Sequence, residues 1–361
     1  KWNFTKRFRI YSMEKEGALP KLVLASHGES TDVILDRIGD PSVDSPFDRR
    51  GLAYGLVQSG KTMNYSILIN KAIDVGYKVI VVLTGMTDDL RTQTQQRIEE
   101  DVLGYNYDDK EILELGNIPS SIKGAECWTT RKHDFIKAPH NFGNFDKPVV
   151  MILKKQKNIL INAIEWFYKI AKKEDFLRTT EELHSIMNLP FLLIDDEADL
   201  ASVDTKKHKH TGDGGYDPEH EPTTINRLVR TLLNAFEQRS FIAYTATPYS
   251  DILISQEAES SNIDKDLKKL GIHIPIDKDL FPKDFILNLP FPSNHFGPRK
   301  LFDIRPPEEF TEVGQEERDP MPLLVDITDH ETEVPASDDN PKITYEGWMP
   351  RKHSTEHIPQ V

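Results

Sequence analysis

Along the chain, short apolar runs alternate with longer stretches in which apolar residues recur every three or four positions. "LAYGLV" (52–57), "YKVIVVL" (77–83), "KPVVMIL" (147–153), "FLLI" (191–194) and "SFIAY" (240–244) predict five strands. Helical patterns lie between them. "MNYSILINKAIDVG" closes at Gly76, a residue suited to a left-handed helix cap, and "DDLRTQTQQRIEEDVLG" follows the second strand. "NILINAIEWFYKIAK" carries apolar side chains at Leu160, Ala163, Ile164, Phe167, Ile170 and Ala171, the helical period. "TTINRLVRTLLNAFEQ" predicts a capped amphipathic helix running into the fifth strand. Continuous apolar strands separated by helices imply an α/β fold, a parallel sheet with helices on both faces. Right-handed crossovers then gather the functional loops at the carboxyl edge of the sheet.

Two segments break the pattern. Residues 202–222 are polar and glycine-bearing, which predicts a mobile insertion. His208 and His210 within it have no third ligand in view, so a solvated loop is the expectation there rather than a metal site. From 290 onward the chain holds eleven of its 23 prolines, which predicts an acidic, proline-rich connector or partial second domain over 291–361. Residues 301–340 contain thirteen acidic residues against two arginines, most of the excess behind the net charge of −14. The rest of the chain is therefore close to neutral, and a local basic groove stays possible. Cys127 is the single cysteine, which excludes an internal disulfide and fits a reducing, cytoplasmic setting. No run of apolar residues is long enough for a membrane span.

Three short motifs carry the chemistry. Gly55-x-x-x-x-Gly60-Lys61-Thr62 sits between a predicted strand and a predicted helix. Gly55 and Gly60 let the backbone, with Gln58 and Ser59, bend around a phosphate chain while helix amides point at the anion. Lys61 reaches the outer phosphates and the Thr62 hydroxyl is suited to Mg²⁺. "FLLIDDEADLAS" places Asp196 at a strand end, suited to hold Mg²⁺, with Glu197 next to it to polarise an attacking water. "FIAYTATPYSDIL" offers Thr245, Ala246 and Thr247 at another strand end, small residues able to approach Asp199 and couple the acidic motif to a ligand or second domain.

In this order the motifs resemble motifs I, II and III of superfamily-two helicases and translocases. The chain is similar in particular to the endonuclease Z-one domain family, found among restriction and phage-defence genes of bacteria and archaea. The resembling stretches are "STDVILDRIGDP", "RRGLAYGLVQSGKT", "INKAIDVGYKVIVVLTGMTDDLRTQTQQRI", "LIDDEADLASVDT", "TTINRLVRTLL", "YTATPYSDILI" and "LFPKDFILNLP", spanning roughly residues 30–290. The resemblance implies a RecA-like ATPase domain over 31–290 behind an N-terminal extension (1–30), using ATP and Mg²⁺ and acting on DNA, with defence-system proteins as further partners. It also assigns "LTGMTDDLRTQTQ" to a nucleic-acid-contacting motif, making Thr84, Arg91 and Gln95 candidates for phosphate contact. Lys154 and Lys155, after the third strand, are candidates for similar work. Arg227 and Arg230 could face the acidic site or solvent.

Such enzymes complete their site with an arginine from a second RecA-like domain, worth about 10³–10⁵ in rate. After Pro290 no second strand–helix alternation and no Gln-x-x-Gly-Arg-like run is visible, and the chain does not begin with methionine. The expectation is a fragment that hydrolyses ATP slowly by itself. The nuclease in the family's name finds no support: "YNYDDKEILEL" (105–115) lacks the strand-borne spacing of an Asp…Glu-x-Lys site. The alternative to a motor is a nucleotide-dependent switch that docks a partner protein without translocating.

Overall fold

The structure, a computed structural model, describes residues 2–14, 20–55, 60–104, 124–134, 147–173, 177–179, 185–204, 222–254 and 259–290. The chain divides into two compact units, Lys1–Ser293 and Asn294–Val361. The expected connector 291–361, the histidine-bearing part of the expected insertion and "YNYDDKEILEL" lie outside the described residues.

In chain order the elements are α1 (Asn3–Glu14), α2 (Lys21–Leu35), β1 (Phe47–Tyr54), α3 (Lys61–Val75), β2 (Val79–Thr84) and α4 (Asp88–Ile98), which runs on into one π-helical turn (Glu99–Leu103). They continue with β3 (Glu126–Cys127), β4 (Val149–Lys154), α5 (Lys157–Lys173), β5 (Leu177–Thr179), β6 (Ser185–Asp196), α6 (Thr224–Asn234) and β7 (Phe236–Thr245). Last come α7 (Tyr249–Ile252), β8 (Glu259–Ile263), α8 (Lys265–Lys269), β9 (Pro275–Lys278) and β10 (Phe285–Asn288).

Seven strands form one parallel sheet in the order β10-β1-β7-β6-β2-β4-β3, with β5 antiparallel on β6, and β8 and β9 form a separate hairpin. The architecture is an α/β fold compatible with a RecA-like domain. Because strand side chains alternate between faces, the sheet divides the core in two. Val79, Val81, Leu83, Met151, Leu193 and Phe241 meet α5 and α6 on one face. Ile80, Val82, Ile152, Ile194 and Ile242 meet α1, α2 and α3 on the other. Leu160, Ala163, Ile164, Phe167, Ile170 and Ala171 are the buried residues of α5, the set its periodicity singled out. Phe236 stacks on Phe191 with ring centroids 4.0 Å apart and meets the Phe167 ring edge-on at 5.6 Å.

Several boundaries differ from the sequence expectation for physical reasons. β1 begins at Phe47 and ends at Tyr54, because polar Asp48, Arg49 and Arg50 pair with β7 through backbone bonds that apolar patterning does not register. The last residues of the expected fourth helix belong to β7, and the α6 N-cap, Thr223, makes no side-chain cap bond. Arg227 and Arg230 are buried and face neither the acidic motif nor solvent. Arg227 pairs with Asp264 at 2.6 Å, while Arg230 reaches Asp279 and the Asp277 carbonyl. The N-terminal segment packs on α3: the Asp74 carboxylate accepts the amides of Asn3, Phe4 and Thr5 at 2.8–3.0 Å, capping α1 from the last turn of α3. Lys71, also on α3, fastens α2 through the Gly28 carbonyl, Thr31 and Asp32. α3 is consequently buried on nearly every side from Asn64 to Ile73.

Candidate functional site

The ends of β1, β7, β6, β2 and β4 all open at the carboxyl edge, and the sequence motifs fall there. The crossover from β1 through α3 passes over β7 and β6 to reach β2, whereas the chain leaving the adjacent β7 passes β1 to reach β10, so the connections from neighbouring strands part beside the first motif. That is where ligands bind in open parallel sheets.

Gly55 follows β1, and its amide donates to the Thr245 carbonyl at 3.1 Å, anchoring the loop on the neighbouring strand. Gln58 and Ser59 lie outside the described residues. Gly60 sits at φ +82° as the N-cap of α3 and offers no side chain to cap it. The first-turn amides of a helix have no internal acceptor, so this end of α3 presents N–H groups and a positive dipole end. Only glycine fits at Gly60. Besides the left-handed φ, an added Cβ would lie 2.9 Å from His27 Nε2. Lys61 and Thr62 form the first turn that follows.

Asp196 ends β6. The Tyr65 phenol donates to Asp196 Oδ2 at 3.1 Å, so a single buried ring joins α3, the helix that opens with Lys61 and Thr62, to the second motif. Burial pushes the Asp196 carboxyl up to about 6, with the Glu197 charge adding to the rise and the Tyr65 bond and the Lys61 ammonium opposing it. Glu197 adopts φ +54°, a left-handed conformation that costs a non-glycine residue about 1–3 kcal/mol and is concentrated at functional sites. Its carboxylate oxygen lies 3.8 Å from where a Cβ on Gly85 would stand, at the end of β2. Among the described residues neither Lys61 nor Glu197 has an ion-pair partner.

Asp199 completes the acidic turn. It accepts the Thr245 hydroxyl at 2.6 Å and the Thr247 hydroxyl at 2.7 Å, one on each carboxylate oxygen, and the Thr247 amide returns to Thr245 Oγ1 at 2.9 Å. Burial works against the Asp199 charge, but the two hydroxyls outweigh it and hold the carboxyl below the usual range. Ala246 lies half-buried between the two threonines. The close approach of Thr245 and Thr247 to the acidic motif is thus made by hydrogen bonds.

Of the candidates for nucleic-acid contact, Thr84, Arg91, Gln95 and Lys155 are buried, and Lys154 is engaged by two carboxylates. Arg91 is 2% exposed, forms an ion pair with Asp134 and donates to the carbonyls of Thr130 and Arg131. Gln95 is buried among Glu99, Cys127 and Thr129. The Thr84 hydroxyl is buried against the carbonyls of Gly85 and Leu153. Lys154, largely covered, bridges Asp88 at 2.5 Å and Asp134 at 3.0 Å. These side chains fasten α4 and the 129–134 segment to the sheet, those of Thr84, Arg91 and Gln95 inside the protein. Cys127 is a buried free thiol whose pKa burial pushes up.

Sequence reasoning overlooked several residues of this site. Asn64 accepts the Tyr244 hydroxyl at 2.8 Å and donates to Ser30 at 2.7 Å beside His27, whose imidazole burial pushes toward the neutral form. Asp251, in α7, is buried; the desolvation and the nearby Asp195 and Asp199 charges push its carboxyl up to about 7. Lys155, expected from the sequence to do work similar to Lys154, is instead wholly buried under the acidic turn. Only the unbroken helical pattern around Asn64 and Tyr65 could have signalled that polar groups there are enclosed.

Among the described residues no three His, Cys, Asp or Glu side chains converge as a metal site, and no helix is long and apolar enough to cross a membrane. Mg²⁺ bound with a nucleotide does not need such a group, since phosphate and water oxygens supply most of its ligands. The hard oxygens of Asp196, at the end of β6, and of Thr62, in the first turn of α3, are of the kind that would suit that ion. No protein-family model and no curated protein matches the chain.

Proposed function

We propose that this unit is the nucleotide-binding core of an ATPase, resembling superfamily-two motors and the Z-one domain family, that couples ATP hydrolysis to work on DNA. The observation that carries the reading is the convergence of three motifs far apart in sequence. Tyr65 joins the first to Asp196, and Thr245 joins the third to Asp199 while its carbonyl holds Gly55.

In this reading the loop from Gly55 to Thr62 and the exposed amides of α3 take the phosphate chain, and Lys61 neutralises its outer charge. Thr62 and Asp196 hold Mg²⁺, which supplies charge neutralisation on the phosphates. Glu197 accepts a hydrogen bond from the attacking water and takes its proton as the new P–O bond forms and the bond to the leaving ADP breaks. Asp196, whose carboxyl burial pushes up to about 6, would meet the cation as a carboxylate above that pH. Asp199, held by the Thr245 and Thr247 hydroxyls, ties the acidic turn to the end of β7. Action in restriction or phage defence, and partner proteins from such systems, belong to the resemblance.

Equilibrium titration with ATP and Mg²⁺ tests the nucleotide site. The reading requires saturable, Mg²⁺-dependent binding that Lys61→Ala weakens at least about tenfold; binding indifferent to Lys61 overturns it.

A further inference from the structure

We propose that Lys155 is the positioning residue that sets the geometry of Glu197, an inference that rests on the hydrolytic role given to Glu197 above. Lys155 follows β4 directly. Its neighbour Lys154 turns toward Asp88 and Asp134, whereas Lys155 turns under the end of β6.

An ammonium has three hydrogens to donate. Three backbone carbonyls stand within reach of Lys155 Nζ: Asp196 at 2.9 Å, Glu197 at 2.6 Å and Leu200 at 3.1 Å. These carbonyls bracket a turn in which two non-glycine residues are left-handed, Glu197 at φ +54° and Ala201 at φ +66°. Such conformations persist only where surrounding structure over-determines them. The Leu200 amide closes the turn on the Glu197 carbonyl at 2.9 Å, and the Ala198 amide is held by the Tyr244 carbonyl at 3.1 Å. The turn is therefore pinned from β7 on one side and from Lys155 on the other. With that backbone fixed, the Glu197 carboxylate is directed toward Gly85.

The charge is neutralised locally. Asp195 Oδ1 lies 2.7 Å from Lys155 Nζ, and both side chains are fully buried. With four acceptors around three hydrogens, Asp195 shares the ammonium with the three carbonyls and supplies its counter-charge. Asp196, Asp199 and Asp251 also lie within its electrostatic reach. A buried cation with three carbonyls of one strained turn around it is built for position.

The test compares the full-length protein with Lys155→Met, Lys155→Arg and the double variant Lys155→Met/Asp195→Asn. The double variant leaves no uncompensated buried charge, so it reports on the turn even where the single variant fails to fold. Backbone hydrogen exchange and ATP turnover are read together. The expected result is faster exchange at residues 196–201, unchanged exchange in α1 and α2, and a kcat lower by about 100-fold with nucleotide affinity kept within about threefold. Arginine does not restore kcat, because its planar fork cannot aim three hydrogens from one nitrogen. Unaltered exchange in the turn, or loss of affinity and kcat together, overturns the proposal. If the parent protein hydrolyses no ATP, the ATPase reading fails, and exchange at 196–201 alone decides whether Lys155 holds the turn.

Discussion

Tyr65 donates its phenolic hydrogen to Asp196 Oδ2 across 3.1 Å and so fastens α3 to the end of β6. Burial pushes the phenol pKa well above its ordinary value, so Tyr65 remains a donor throughout the neutral range. Tyr65→Phe removes a bond that opposes the rise of the Asp196 carboxyl, leaving that carboxyl protonated to a higher pH. Mg²⁺-dependent nucleotide affinity at pH 7 is expected to fall about tenfold, the worth of one hydrogen bond to a charged group. The deficit shrinks as the pH is raised and Asp196 ionises. Calorimetric titration at two pH values checks this, and an affinity deficit that ignores pH would count against the link.

Gly60→Ala meets two separate obstacles, the left-handed φ and the His27 ring. Chemical unfolding should show a loss of about 1–3 kcal/mol. Adding His27→Ala removes the steric part only, so the double variant stays less stable than His27→Ala alone. Full recovery would mean that the backbone angle at Gly60 imposes nothing.

Asp251 should reveal itself in the pH dependence of stability. Its carboxyl is raised to about 7, so the folded state holds the proton more tightly than the unfolded chain does. The stability this contributes is present in acid and is lost as the pH rises through about 7. Asp251→Asn removes that loss. Relative to the parent protein the variant gains stability between about pH 4 and pH 7, by at most about 4 kcal/mol, one pKa unit being worth about 1.4 kcal/mol. Asp196 titrates in the same direction and His27 in the opposite one, but both do so in both proteins and largely cancel in the difference. Thermal unfolding across this pH range gives the comparison, and a difference independent of pH would refute it.

Arg91 supplies the opposite case, a charged residue that the sequence placed on a ligand-facing surface and the fold encloses. Arg91→Met leaves Asp134 buried beside Lys154 alone and frees the carbonyls of Thr130 and Arg131. A loss of about 3–5 kcal/mol in urea unfolding is expected, the range for a broken buried ion pair. A cost below about 1 kcal/mol, as for an exposed pair, would place Arg91 on the surface.

The contrast between Arg91 and Phe167 shows what the sequence could disclose. Phe167 belongs to a period of apolar residues that is complete within α5, so its burial was legible from its neighbours. Arg91, Gln95 and Lys155 are polar residues buried by partners 32 to 45 positions away, which no local pattern encodes. The five main strands were legible for a similar reason, being apolar on both faces. β10 and the β8–β9 hairpin were not, since these strands are only four or five residues long and those of the hairpin are largely polar. The motifs placed Gly60, Asp196, Asp199 and Thr245 at one sheet edge correctly in kind. The residues that tie them together, Tyr65 and Lys155, needed the fold to bring α3 and β4 beside β6.

The most direct measurement is steady-state ATP hydrolysis by the full-length protein with Mg²⁺, with and without single- and double-stranded DNA. Lys61→Ala and Glu197→Gln are measured beside it. The account predicts turnover stimulated by DNA, lost in Lys61→Ala together with nucleotide binding, and lost in Glu197→Gln with binding retained. Turnover that survives both substitutions, or nucleotide binding with no DNA-stimulated hydrolysis in the parent protein, would contradict it.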